Sequence, residues 1–245
     1  MSSAAHQQIP GALAIIAALP RELTPLSRRL GAIRISSANG ILVQTANLPG
    51  SLSPILLVAA GMGPQRAAMA VAAALAHGPV HTLLSVGLAG ACDPALAPAA
   101  LVEPNVVLDT NSGERFDTTA PAAPLHPVIL VTTQHIASPA EKQRLRASYN
   151  AAAVDMEAAT VARLARAHGI PFAALKAISD EHTVDLSHLS PFTNARGHFR
   201  TAPFAIHTAI RPHRWRNTLA LGRSSKAALS AMTAAIYQLI GNRTS

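Results

Sequence analysis

With 245 residues, 49% of them hydrophobic, the chain is long enough for one domain with a large core and too apolar for disorder. Only 3% are aromatic, which leaves few stacking surfaces for single-stranded nucleic acid despite a formal net charge of +8. The charge is lopsided: residues 186–245 carry eight Lys/Arg and no Asp/Glu, so the whole excess arises in the tail.

A basic tail of this kind faces either an anionic surface or only solvent. A single cysteine, Cys92, excludes an internal disulfide and reads as the buried thiol of a cytosolic protein. Met1–Pro10 carries no Lys or Arg, so no secretory signal is expected, and the apolar run Gly11–Leu19 is too short to span a bilayer. It reads as a buried first strand, Leu13–Ala18.

Pro20-Arg21-Glu22 follows at once, and Leu23, Leu26 and Leu30 are spaced as one helix face. Glu22 thus falls at a strand-to-helix junction, where the helix dipole alone is reason enough for a carboxylate. Ile33–Ile35 and Ile41–Thr45 flank Ala38-Asn39-Gly40, a hairpin signal, and Pro54–Ala60 is another apolar strand. Gly61-Met62-Gly63-Pro64 opens a helix over Gln65–His77. Its amides suit an anion or a ligand oxygen; the plainer reading is a tight turn, with Arg66 either a phosphate ligand or a solvated residue. The third glycine of a dinucleotide fingerprint is missing, and no Gly-Lys-Ser/Thr occurs, so a P-loop is excluded.

His81–Val86 is the next strand, read as ending in a second glycine loop, Gly87-Leu88-Ala89-Gly90. Two such loops at neighbouring carboxyl edges would share a cleft. Leu101–Leu108 and Val128–Thr132 complete the expected strands, and Pro139–Tyr149 is a short polar helix. The eleven histidines make no His-x-x-x-His or Glu-x-x-His pair on a helix, so no metal and no cofactor is expected.

The stretch Ala151–Glu181 holds the carboxylates Asp155, Glu157 and Asp180 in an otherwise apolar or basic setting. After Glu157 a helix runs to Gly169, Pro171 cannot extend it, and Phe172–Ile178 is a buried strand with Ser179, Asp180 and Glu181 at its carboxyl end. In α/β sheets that end binds ligands. Beyond it, His182–Phe199 reads as a lid or substrate loop, and Ala202–Ile210 and Leu219–Ile240 as helices, the second burying Leu229, Met232, Ile236 and Leu239 or Ile240. Strands alternate with helices throughout, which makes the class α/β.

Three separated pieces together carry a resemblance. They are Ile15-Ile16-Ala17-Ala18-Leu19-Pro20-Arg21-Glu22; the Gly61-Met62-Gly63 and Ser85-Val86-Gly87-Leu88-Ala89-Gly90 loops; and Val154-Asp155-Met156-Glu157-Ala158 with Ala177-Ile178-Ser179-Asp180. Over about residues 13–181 the chain resembles the nucleoside phosphorylase and nucleosidase family, most of all its methylthioadenosine/S-adenosylhomocysteine nucleosidase branch. The resemblance implies a single three-layer α/β/α domain over 1–245 with a mixed, twisted central sheet. Residues 10–181 would form the catalytic core, with a lid loop and basic helices over 182–245. It also implies a homodimer or larger assembly.

The implied chemistry is cleavage of the N-glycosidic bond of a 5′-substituted adenosine, with no cofactor. Such a bond breaks through an oxocarbenium-like sugar and needs an acid for the base, a nucleophile at C1′ and hydrogen bonds to the ribose. By resemblance Asp180 protonates the purine at N7 with Ser179 holding it, Glu157 accepts from the ribose hydroxyls, Met156 packs on the sugar and Glu22 activates water. Met62, Ser85, Gly87, His135 and Ile136 are the further substrate contacts. A carboxylate at Glu22 favours water over phosphate as nucleophile; Arg66 supports the alternative, a phosphate-dependent phosphorylase.

Pro20-Arg21 and His135 depart from the family pattern, at positions where relatives carry acids and an aromatic ring. The tail, Gly197-His198-Phe199-Arg200-Thr201-Ala202-Pro203-Phe204 followed by Arg211-Pro212-His213-Arg214-Trp215, is similar to the hopanoid-associated branch, whose nucleosidases act on adenosylhopane. A lipid-linked adenosine would be met at an anionic bilayer, for which a basic, Trp-bearing tail is a fitting interfacial element. The expected protein is therefore cytoplasmic, peripheral to the membrane if the substrate is lipid-linked, with no specific nucleic-acid partner. Its substrate would be adenosylhopane or, in the alternative, methylthioadenosine or S-adenosylhomocysteine. The reading from another class is a non-catalytic polyanion-binding module.

Overall fold

The longest strand, β5 (Val80–Ala91), organises the molecule because it changes partners along its length. Its first half lies parallel to β1 (Ala12–Ala17), with Ile16 opposite Ser85; its far end meets β10 (Ala151–Asp155) antiparallel, with Val154 opposite Gly90. Along its other edge, β11 (Phe172–Asp180) runs parallel from Leu83 to Gly90. The computed structural model describes residues 11–48, 51, 53–119, 128–186 and 215–241.

The remaining elements are α1 (Pro20–Leu30), β2 (Ile33–Ala38), β3 (Ile41–Ala46), β4 (Ile55–Ala59), α2 (Pro64–Leu75), β6 (Leu101–Val102), β7 (Val106–Asp109), β8 (Arg115–Asp117), β9 (Ile129–Thr132), α3 (Pro139–Tyr149), α4 (Ala158–Ala167) and α5 (Trp215–Gly241). One 11-stranded mixed sheet runs β2-β3-β4-β1-β5-β10-β9-β7-β8, with β11 and β6 branching from β5. The hairpin forms where Asn39-Gly40 stood in the sequence, and both residues take the left-handed φ values, 54° and 74°, that a two-residue turn requires.

Strand side chains alternate between two buried faces, which is why β1, β4 and β11 read as continuous apolar runs. On one face Ile15, Leu57, Leu84 and Leu175 pack with Leu23 and Leu26 of α1 and with Met232, Ile236 and Ile240 of α5. On the other, Ile16, Val58, Leu83 and Ile178 pack with Ala67, Ala70 and Val71 of α2 and with Val161, Ala162 and Ala165 of α4. The result is the expected three-layer α/β/α arrangement. A smaller cluster of Cys92, Leu108, Val131, Leu145 and Val154 seats α3 at the sheet's far end.

The structure departs from sequence expectation in three places. Gly87–Gly90 is not a loop: it continues β5, because β11 supplies ladder partners as far as Gly90. Leu101–Leu108 is two strands, β6 and β7, divided around Pro104, which has no amide hydrogen for a ladder. β8 and β10 were not anticipated, the latter because Ala151-Ala152-Ala153 has little strand propensity and is fixed by pairing with β9 and β5. Along α5 the structure selects between the two expected candidates: Ile240 is buried and Leu239 exposed. Most of the expected lid, the helix over Ala202–Ile210 and the tail segments 197–204 and 211–214 lie outside the described residues. No described helix is long and apolar enough to cross a membrane.

Candidate active site

Where β5 passes from β1 to β10, a cleft opens above the strand ends. Glu22, Met62, His135, Ile136, Met156, Glu157, Ser179 and Asp180 all line it. They arrive from five places in the fold: Glu22 from the first turn of α1, Met62 from the turn after β4, His135 and Ile136 from the segment after β9, Met156 and Glu157 from the turn after β10, and Ser179 and Asp180 from the last residues of β11. Among the described residues no group of three or more His, Cys, Asp or Glu could hold a metal ion.

Glu157 ends one chain of charges. Its Oε1 accepts the amide N–H of Gly63 at 2.7 Å, so the glycine turn at the start of α2 does meet an anion, and that anion is a carboxylate of the protein. Glu157 keeps an edge open to the cleft but is otherwise enclosed. Burial first, and then the charge of Asp155, push its pKa up to about 7, against the pull of Lys176 and the Gly63 amide. Asp155 itself is spoken for: Lys176 Nζ lies 2.9 Å from its Oδ2, Thr132 Oγ1 donates to its Oδ1 at 2.6 Å, and the Ala158 amide donates to Oδ2 at 2.9 Å, capping α4. Burial opposes the charge on Lys176, but the carboxylates of Asp155, Glu157 and Glu22 outweigh it and its pKa is raised.

Asp180 ends a second chain. Ser179 Oγ donates to its Oδ1 at 2.5 Å, and the buried ammonium of Lys142, from α3, contacts its Oδ2. Lys142 also donates to the carbonyls of Glu181 at 3.0 Å and Val184 at 3.2 Å. Ser224 of α5 donates to the Ser179 carbonyl at 2.8 Å, which ties the C-terminal helix to the same strand end.

Glu22 serves two purposes. Its Oε2 accepts the amide of Leu19 at 2.9 Å, the helix-start role that the dipole predicts, and its Oε1 accepts the amide of Leu88 at 3.3 Å from β5. The carboxylate is held over the cleft from both sides.

Three expected residues sit elsewhere. Ser85 does not face the cleft: its hydroxyl accepts from Lys176 Nζ at 3.1 Å inside the core. Gly87 supports Glu22 from behind, where a Cβ would stand 3.3 Å from Oε1. Arg66 is buried under the hairpin, its Nη1 donating to the Asn39 carbonyl at 3.4 Å. His135 reaches the rim, with Nε2 2.9 Å from Glu141 Oε2.

Lys142 and Lys176 were missed by sequence reasoning. The signal for Lys142 was its position three residues before Leu145, on the one buried face of α3; for Lys176 it was a charge inside an apolar run that had to be buried on both faces. The Cys92 thiol, pushed by burial to about 12, is inert as expected of a core residue.

The model of the Phosphorylase superfamily matches residues 12–128 and 118–210. The chain belongs to that superfamily. No curated relative matches the sequence. Among solved structures, the 5′-methylthioadenosine/S-adenosylhomocysteine nucleosidase of Helicobacter pylori with butyl-thio-DADMe-Immucillin-A is similar at TM-score 0.70 and 16% identity, over 96% of this chain and 100% of that one. A putative nucleosidase of the same description from Francisella philomiragia gives 0.69 at 18%, over 94% and 98%. Futalosine hydrolase of Helicobacter pylori gives 0.65 at 18%, over 93% and 98%. At these identities the likeness establishes the superfamily fold, with its mixed sheet between helices.

Proposed function

We propose that this chain is an N-ribosyl hydrolase that releases adenine from a 5′-substituted adenosine. The observation that carries it is the convergence of Glu22, Glu157 and Asp180 on one cleft where the buried cations are already engaged by the protein. Arg66 is turned to Asn39, Lys176 is paired with Asp155 and Lys142 lies against Asp180, while Arg21, exposed on the first turn of α1, lines the cleft next to the Glu22 carboxylate. A phosphate at C1′ would meet the Glu22 carboxylate and be repelled, whereas a water there would be oriented by it.

In this reading the base lies at the Asp180 end, between Val154, Ile136 and the Leu88–Gly90 stretch of β5. Asp180 gives a proton to N7 as the glycosidic bond breaks with its electron pair on the purine. Glu157 accepts from the ribose hydroxyls, an interaction that strengthens as positive charge develops on the sugar, and Met156 packs on its face. Water held by Glu22 then attacks C1′ and gives its proton to that carboxylate. Each acid–base step of this kind is worth about 10² to 10⁴ in rate.

Adenosylhopane is the finer substrate we infer. The apolar walls formed by Leu19, Met62, Leu88 and Leu186 suit a hydrocarbon 5′ group, and the basic residues 186–245 suit delivery from an anionic membrane. Methylthioadenosine or S-adenosylhomocysteine is the second reading, favoured by the similarity of fold to nucleosidases of that description. The test is adenine release from methylthioadenosine and from adenosylhopane in phosphate-free buffer, with Asp180→Asn as control. Release that needs added phosphate, or that survives in Asp180→Asn, would sink the hydrolase reading.

A further inference from the structure

Lys142 is the least expected component of this cleft. A fully buried lysine must be compensated, and its stem must be accommodated. Its Nζ touches Asp180 Oδ2 and donates to the Glu181 and Val184 carbonyls, so its hydrogen bonds all go to one carboxylate and to the turn just after it. The stem passes over Gly90 so closely that a Cβ there would stand 3.0 Å from Lys142 Cε and 3.1 Å from Asp180 Oδ2. Strand β5 has no side chain where the pair needs room. α3, capped by Ser138 and seated through Leu145, thereby carries a cation 38 residues along the chain to the end of β11.

We propose that Lys142 is a positioning residue for proton delivery by Asp180. The inference rests on the nucleosidase reading above. Its ammonium fixes the carboxyl group from the Oδ2 side while Ser179 fixes it from Oδ1, leaving one orientation towards the base. Asp180 acts after taking up a proton from water on the oxygen facing the base; when the glycosidic bond breaks, the electron pair goes to the purine, that proton passes to N7, and the carboxylate left behind faces the Lys142 ammonium until water reprotonates it for the next turnover. In a dry cleft such preorganised charge acts at the moment the anion forms.

The test compares Lys142→Met and Lys142→Arg with wild type on two substrates. One is the adenine nucleoside that the wild-type protein turns over. The other is 4-nitrophenyl riboside, whose leaving group departs without a proton. Lys142→Met should lower kcat on the adenine nucleoside by about 10²-fold with KM little changed. It should stay within a few-fold of wild type on the aryl riboside, and Arg should restore part of the loss. Thermal melts establish that each variant is folded.

Equal losses on both substrates, or adenine release by Lys142→Met within a few-fold of wild type, would overturn the proposal while leaving the nucleosidase reading intact. Wild-type protein that releases no adenine from any nucleoside overturns both. If only the aryl riboside is refused by the wild type, the split between kcat and KM and the rescue by Arg decide the matter.

Discussion

The amide of Gly63 and the carboxylate of Glu157 join across 94 residues at 2.7 Å, linking the turn before α2 to the turn before α4. The bond is short and direct, yet it does not compensate for the burial of Glu157, whose pKa stands near 7 rather than 4.5. Between those two values the folded protein holds a proton that the unfolded chain releases, so stability falls as pH rises through that window. Glu157→Gln keeps an oxygen for the Gly63 amide and removes the charge. Above pH 7 the variant should melt about 5 °C higher than wild type, and the gap should close towards pH 4.5. Melting curves at pH 5 and 8 check this; a constant gap would mean that Glu157 is already neutral or fully compensated. If Glu157 is the ribose acceptor proposed for it, adenine release should fall on the acid side of pH 7 as its carboxylate is neutralised.

Lys176 sets the opposite case, a buried cation whose partners outweigh its burial. Because its pKa is raised above 10.5, its contribution to stability is fully present below that value and is lost only at higher pH. Lys176→Met would strand the Asp155 carboxylate, which also caps α4 through the Ala158 amide. Loss of one partner of a buried pair costs about 3–5 kcal/mol, or a fall of roughly 10 °C in Tm for a chain of this length. The fall should be larger at pH 9, where the charged Glu157 also loses Lys176, than at pH 6, where Glu157 is largely protonated, and adding Asp155→Asn should recover part of it. A double-mutant cycle by thermal melts measures the coupling.

The residues legible in the sequence were those whose role is local. Asp180, Glu157 and Glu22 stand at element ends marked by apolar runs, prolines and glycines, and all three reach the cleft. What stayed hidden depends on pairing between distant segments. Ser85 was a substrate contact by resemblance, but the Lys176 ammonium engages its hydroxyl inside the core. Gly87–Gly90 looked like a loop because glycine is a poor strand former, yet β11 and β10 provide its hydrogen-bond partners. Lys142 sits in Ala140-Glu141-Lys142-Gln143-Arg144, where a lysine reads as a solvated helix residue; only the approach of α3 to the end of β11 makes it an interior cation.

Glu22 separates structure from chemistry in a single substitution. Glu22→Gln retains a side-chain oxygen to accept the Leu19 amide at the start of α1, so Tm should change by no more than a few degrees. An amide cannot take a proton from water. Under the proposed hydrolysis, adenine release should therefore drop by about 10² to 10⁴, with substrate or product binding by calorimetry retained. A loss of binding together with a large drop in Tm would show that Glu22 is chiefly a helix cap.

Gly87 tests whether Glu22 depends on its backing. The residue adopts φ +136°, a backbone conformation that a side chain strains, and an added Cβ would stand 3.3 Å from Glu22 Oε1 and 3.4 Å from its Cδ. Gly87→Ala should thus be destabilising by about 1–3 kcal/mol and should also push the carboxylate off the Leu88 amide, a contact already long at 3.3 Å. Glu22 would be displaced rather than removed, so the variant should lose adenine release by about tenfold or more even at temperatures where it is fully folded. Comparing it with the double variant Gly87→Ala, Glu22→Gln separates the two effects. If Gly87 acts through Glu22, the two activity losses will be far from additive; additive losses would assign Gly87 to strand β5 alone.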